Sequence, residues 1–171
     1  MNIHTHRRTL GFTAALLVAL CGGLAFAYSG TWWSQWASEE TQPAMCASGT
    51  VATRLECWGS NCDWVRMSCT NPNRELWGHT WTAYKSEEQG YNYCPTGYFV
   101  TGVDCQGNHC DDESLQCTQM VGAVQSNCQW VGPFSEELPV NYGQCPAGKF
   151  IQGFYCSGSN CDNQWINCCN M

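Results

Sequence analysis

The sequence predicts an all-β fold: three antiparallel sheets with threefold pseudosymmetry around one axis, rich in disulfides. Three observations carry that expectation. A cysteine ruler, C-x10-C-x4-C-x6-C, occurs three times without a slip: Cys46-Cys57-Cys62-Cys69, Cys94-Cys105-Cys110-Cys117 and Cys145-Cys156-Cys161-Cys168. Each copy follows the pattern Trp-x4-Ser-Glu-Glu, beginning at Trp33, Trp81 and Trp130. A period of about fifty residues marks one supersecondary unit used several times. Beyond residue 27, no segment shows a 3.6-residue apolar period, so helices are not expected. A β-trefoil-like arrangement or tandem stapled hairpins would suit the same repeat, and both stay open at this point.

The chain begins with a predicted secretory leader over residues 1–27. It has a cationic start (Arg7, Arg8), an apolar run from Leu10 to Leu24, and small residues around Ala25-Phe26-Ala27. The run is too short for a membrane span. The remainder, 28–171, reads as one domain of three repeats, about 31–72, 77–120 and 126–171. It holds five basic residues against fourteen acidic ones, a net charge of −9. Nucleic-acid binding rests on phosphate neutralisation by Lys and Arg, so such a surface argues against it, and against anionic lipid. Cys21 leaves with the leader. The fourteen remaining cysteines make seven disulfides the natural count for a chain exposed to an oxidising compartment. Zinc knuckles favour paired C-x2-4-C motifs, whereas each close pair here is C-x4-C with single cysteines ten and six residues away. No metal or cofactor is expected.

Within a repeat the first ruler interval is a strand. In the second copy Phe99, Val100 and Val103 are strand formers, with Gly102 placed for a bulge or a close backbone approach. The third copy has Phe150, Ile151, Gly153 and Phe154. The first has Val51, Ala52, Arg54 and Leu55, and lacks that glycine. Next comes C-x-Gly-x-x-C-Asp (Cys57–Asp63, Cys105–Asp111, Cys156–Asp162), whose glycines can take positive φ in a turn. A returning strand follows, with Met67, Leu115 and Ile166 two places before the last cysteine and on the same face as it. The unit is a hairpin with a cysteine loop at its tip. That reading selects nested disulfides: Cys57–Cys62 inside Cys46–Cys69, Cys105–Cys110 inside Cys94–Cys117, and Cys156–Cys161 inside Cys145–Cys168. Cys128 and Cys169 are left for each other. A lone hairpin is marginal in water, so three must share a core. The Trp-rich linking strands (Trp33, Trp36, Trp77, Trp81, Trp130, Phe134) are the expected filling, with Trp33, Trp81 and Trp130 at equivalent buried places.

Several motifs together resemble the vitelline membrane outer layer protein I family. They are Cys94-Pro-Thr-Gly-Tyr98 after the strand Trp77-Gly-His-Thr-Trp-Thr82, the returning strand Asp162-Asn-Gln-Trp-Ile-Asn167, and the terminal Cys168-Cys169. The likeness spans about 33–169. It implies a threefold β-prism, an extracellular setting and a link to chito-oligosaccharide-type sugars. This chain departs from the family in placing a cysteine pair at each hairpin tip, where the family has a longer loop with paired aspartates. Asp111-Asp112 is a partial remnant.

The sequence offers little for catalysis. His79 and His109 are the two histidines beyond the leader, and no hydrolase triad can be assembled from them. The Ser-Glu-Glu pairs (Glu39/Glu40, Glu87/Glu88, Glu136/Glu137) could serve as glycosidase carboxylates. Their threefold repetition argues instead for solvated turns in which Ser accepts a local backbone hydrogen bond. The tips are the expected binding places. Trp58, Trp64 and Trp165 offer rings to sugar faces, while Asp63, Asp111, Asp112, Asp162, Asn163 and His109 offer hydrogen bonds. Each Asp after the cysteine could equally fix its own turn. No D-x-D-x-D-G calcium loop is present. The expected function is a secreted binding or coat protein that recognises glycans or another extracellular matrix ligand. An enzyme on amino-sugar polymers and a secreted inhibitor or toxin module are the alternatives.

Overall fold

The computed structural model describes residues 30–171, so the expected leader and Cys21 lie outside the described residues. The first repeat lays down β1 (Trp32–Trp33), β2 (Ala44–Met45), β3 (Val51–Trp58) and β4 (Trp64–Thr70). The second supplies β5 (Leu76–Trp81), β6 (Asn92–Tyr93), β7 (Tyr98–Gln106) and β8 (Asp112–Met120). The third supplies β9 (Ser126–Phe134), β10 (Tyr142–Gln144), β11 (Phe150–Ser157) and β12 (Asn163–Asn170). They form three antiparallel four-stranded sheets, ordered β1-β4-β3-β10, β2-β7-β8-β5 and β6-β11-β12-β9. The central strands β3, β7 and β11 pack against one another around the axis. This is a threefold prism, and not a trefoil or a string of hairpins. No helix among the described residues is long and apolar enough to cross a membrane.

The sheets exchange strands in a closed cycle. Each central hairpin comes from one repeat, and so does the edge strand beside its returning arm. The fourth strand comes from a neighbour: β2 joins the second sheet, β6 the third and β10 the first. The outer disulfides follow this exchange. Cys46 N–H donates to Thr101 O in the second sheet at 2.8 Å, while its sulfur bonds Cys69 in the first. Cys94 is held by Gln152 O and bonds Cys117, and Cys145 is held by Thr53 O and bonds Cys168. These bonds therefore staple sheet to sheet and do more than close a hairpin base. Three further bonds, Cys57–Cys62, Cys105–Cys110 and Cys156–Cys161, close the tips. The seventh joins Cys128 to Cys169.

Strand alternation points Leu55, Val103 and Phe154 inward at equivalent ruler positions, and Met67, Leu115 and Ile166 likewise. With the half-cystines they form the main core. Val51, Phe99 and Phe150 plug the base, the two phenylalanine rings meeting edge-on at 6.1 Å. The tryptophans are elsewhere. Trp33, Trp77 and Trp81 are exposed, Trp77 at 69 %, and Trp36 and Trp130 are half-buried. Of the expected filling only Phe134 is inside, at 1 % exposure. The reason is positional: Trp33, Trp77, Trp81 and Trp130 lie on edge strands, and Trp36 in the segment just after one. Half-cystines, aliphatic side chains and four phenylalanines already fill the interior.

The ranking of the aromatic residues follows. Phe134→Ala should cost about 3–5 kcal/mol, as for a buried large aromatic, and Trp81→Ala less than about 1 kcal/mol. Urea unfolding of both variants checks this. Equal losses would return the tryptophans to the core.

Candidate functional site

The hairpin tips converge at one end of the axis. Two of them contain a single 3-10 turn, Ser60–Cys62 and Ser159–Cys161. Gly59, Gly107 and Gly158 hold φ between 82° and 87°, and the residue pairs Asn61-Cys62, His109-Cys110 and Asn160-Cys161 are also left-handed. The closing disulfide keeps this costly backbone in place. The tips form a ring: Cys62 Sγ lies 3.4 Å from Asp162 O, Cys110 Sγ 3.0 Å from Asp63 O, and Cys161 Sγ 3.1 Å from Asp111 O. A disulfide sulfur has no proton to donate, so these are packing contacts.

The Ser-Glu-Glu segments belong to this ring and are not free turns. Ser38, Ser86 and Ser135 are buried, and two of them accept a local amide: Glu40 N–H to Ser38 Oγ, and Glu137 N–H to Ser135 Oγ. The first glutamate of each segment reaches the next repeat's tip. Asn61 N–H donates to Glu136 Oε1, and Glu39 and Glu87 approach the sulfurs of Cys110 and Cys161. Glu39 and Asp63 bring carboxyl oxygens within 4.8 Å, and Glu87 and Asp111 do the same. Burial, then the hydrogen bond and charge of Glu39, push Asp63 up to about 6. Burial, then the hydrogen bond to Asp111, push Glu87 up as well. Asp63 and Asp111 each keep one buried oxygen without a partner among the described residues. In the third copy Asn163 Nδ2 donates to that oxygen of Asp162 at 2.6 Å.

Just inside the ring, Val65, Glu113 and Gln164 occupy one ruler position and are all buried. Glu113 is 1 % exposed. Gln164 Nε2 donates to its Oε1 at 3.5 Å, and Cys156 Sγ lies 3.6 Å from Oε2. Burial, then the charges of Asp111, Asp112 and Glu87, hold this carboxyl well above the ordinary carboxylate range. An isolated buried charge is far costlier than a neutral acid, so the side chain keeps its proton.

Of the residues expected to bind, Asp63 of the first tip and His109 of the second meet with Glu39 where those tips adjoin. Asp111 and Asp112 meet at another with Glu87, and Asp162 pairs with Asn163. Trp58 and Trp64 face each other across the first hairpin, Trp58 exposed beside a cavity of about 290 Å³ that it shares with Gly59 and Glu136. Trp165 stands apart from all of these, on the outer face of the third sheet.

There it joins Trp130, expected in the core, and three tyrosines that sequence reasoning passed over. Tyr155 lies 5.2 Å from Trp165 and 4.7 Å from Tyr91; Tyr91 lies 5.2 Å from Trp130 and 6.0 Å from Tyr93. Tyr91 and Tyr93 are 50 % and 45 % exposed. Gly153 makes this possible, because a Cβ there would meet the Tyr93 ring at 2.6 Å. The same ruler positions differ on the other faces. Tyr155 corresponds to Glu56 and Asp104, and Trp165 to Arg66 and Ser114. On the first sheet Arg54 fills the glycine's place, 3.5 Å from the Tyr142 centroid. Arg66 lies between Trp33 and Trp36 and pairs with Glu56 at 2.9 Å. Comparing copies strand by strand would have revealed the cluster. No protein-family model, no curated protein and no solved structure matches the chain.

A pH dependence follows from Glu113. Folding raises its pKa, so the folded chain holds a proton that the unfolded chain releases above about pH 4.3. Its contribution to stability is thus complete below that pH and declines as pH rises toward the folded pKa. Glu113→Gln, neutral and similar in shape, should lose less stability than the parent between about pH 5 and 8. Parallel profiles from thermal melts would contradict this.

Proposed function

We propose that this chain is a secreted binding protein of an extracellular coat, and that it recognises glycans through the outer face of its third sheet. The carrying observation is the surface cluster in which exposed Tyr91 and Tyr93 lie with half-buried Trp130, Tyr155 and Trp165. An exposed apolar patch of this kind is a signature of an interaction site. The fold does not require Tyr155 or Trp165, since the other two sheets place Glu56 and Asp104, and Arg66 and Ser114, at those positions. Flat rings with hydroxyl or indole N–H edges suit sugar rings, which present apolar C–H faces rimmed by hydroxyls. The frame beneath is rigid, and preorganisation lowers the cost of binding. Seven disulfides fit an oxidising, extracellular setting. The three-sheet prism supports reading the chain as a divergent relative of the vitelline membrane outer layer protein I family.

The carboxylates at the tips favour this reading over an enzymatic one. Their pairs recur by symmetry and are engaged in holding neighbouring repeats, which is a structural duty.

A glycan array with the oxidised protein should return a saccharide ligand. Tyr155→Ala with Trp165→Ala should then weaken binding at least about tenfold, since each lost stacking contact is worth about 1 kcal/mol. Trp58→Ala with Trp64→Ala should leave it nearly unchanged. Loss in the tip pair alone would move the site to the tips.

A further inference from the structure

The three outer faces share a second feature, nearer the base of the prism. On each face a turn following the exchanged strand overhangs the sheet beside a β-bulge. The bulged residues are Thr53, Thr101 and Gln152, each skipped in the pairing of its hairpin. A bulge re-aims its side chain, here outward beneath the turn.

Two of these places are open. On the second sheet a cavity of about 490 Å³ lies between Ser48-Gly49-Thr50 of the turn and Thr101, Gln116 and Thr118 of the strands. Thr101 Oγ1 donates to Gln116 Oε1 at 3.1 Å or shares a 2.6 Å hydrogen bond with Thr118 Oγ1, forming one hydroxyl–amide chain. On the first sheet a cavity of about 260 Å³ lies between Gly148-Lys149 and the residues Thr53, Ser68 and Thr70. These match Thr101, Gln116 and Thr118 on the ruler. On the third sheet the corresponding position to Thr70 and Thr118 is Cys169, and its bond to Cys128 covers the place. Gln152 is drawn to the turn instead, donating to Cys94 O at 2.5 Å. The fold can therefore close this groove, and the two open ones are no packing necessity.

We propose that the grooves on the first and second sheets are a pair of equivalent subsites for neutral, hydroxyl-rich saccharide units. Their floors carry hydroxyl and amide groups, which both donate and accept, as a sugar requires. Charge contributes little: Lys149, at the rim of the first, is engaged by Gln129 Oε1 at 3.0 Å and by Asn127 O, and Arg74 and Glu75 at the rim of the second offset each other. The inference rests on the glycan reading above and extends it: one molecule would hold saccharide on three faces and cross-link the polymers of a coat. Linked sites raise avidity without any new contact.

The test is an amide-shift titration of the oxidised, isotope-labelled protein with three neutral probes: cellobiose, maltose and N,N′-diacetylchitobiose. At least one probe should shift Gly49, Thr50 and Thr118 together with Gly148, Lys149 and Thr70, and leave Gly97 and Cys169 in place. Thr101→Val with Thr118→Val should weaken binding in the second-sheet groove at least about tenfold, the loss of one or two hydrogen bonds, with the first-sheet groove unchanged. The parent's shift map needs no variant to fold. Shifts confined to Tyr155 and its neighbours would overturn the inference while the glycan reading stands. Shifts in the grooves without any at Tyr155 would leave the inference standing and overturn the aromatic site. No shift with any probe would overturn the inference, and an empty glycan array would overturn the reading beneath it.

Discussion

Everything in this structure depends on the cyclic exchange of one short strand per repeat. A hairpin of seven to nine residues per arm, alone in water, is marginal. Here each hairpin gains its own leading edge strand on one side and a neighbour's strand on the other. The borrowed strands are two or three residues long, too short to hold by backbone bonds alone. The outer disulfides solve this, each anchoring a borrowed segment while tying it covalently to the hairpin of its own repeat. Because the exchange runs first to second, second to third and third to first, no sheet has an end that can peel away independently. A core of aliphatic side chains, half-cystines and the phenylalanines Phe99, Phe134, Phe150 and Phe154 then suffices, and Trp33, Trp77 and Trp81 are left outside.

The three faces differ. Inside, symmetry is close to complete: Leu55, Val103 and Phe154 form one layer, and Val51, Phe99 and Phe150 another. Outside, one face carries arginines stacked over Trp33, Trp36 and Tyr142, one carries Thr101, Gln116 and Thr118 with Trp77 and Trp81 exposed along its edge, and one gathers five aromatic rings. The position held by Arg54, Gly102 and Gly153 shows the switch. Where glycine stands, Met45 or Tyr93 from the borrowed strand lies down over the sheet; where arginine stands, its guanidinium fills that space. The inner layer breaks symmetry at Val65, Glu113 and Gln164, and there a buried acid keeps its proton.

The cysteine ruler made much of the fold legible. It placed the tips, the inward-facing apolar residues and the number of sheets, because a disulfide demands specific geometry and a threefold spacing repeats that demand. Period-two patterning cannot reveal which side chain of the two-residue β1, Trp32-Trp33, faces the core, and on the longer edge strands β5 and β9 it does not tell the inner from the outer face, so Trp33, Trp77, Trp81 and Trp130 are expected inside and stand outside or half-buried. The exchange of Ala44–Met45, Asn92–Tyr93 and Tyr142–Gln144 left no mark either, since these segments show no alternation. The docking of Glu39, Glu87 and Glu136 onto neighbouring tips is a contact between repeats, invisible to any reading within one. At the candidate site Trp165 was legible as a ring available for stacking, whereas Tyr93 and Tyr155 are ordinary strand residues and Tyr91 an ordinary loop residue until the sheet brings them together.

Native-state hydrogen exchange on a variant lacking one outer disulfide, Cys145→Ser with Cys168→Ser, tests the closed cycle most directly. If closure is cyclic, freeing β10 weakens the second sheet as well as the first and third, and protection falls in β3, β7 and β11 together. Protection lost only in the first and third sheets, with β7 and β8 as slow as in the parent, would contradict it.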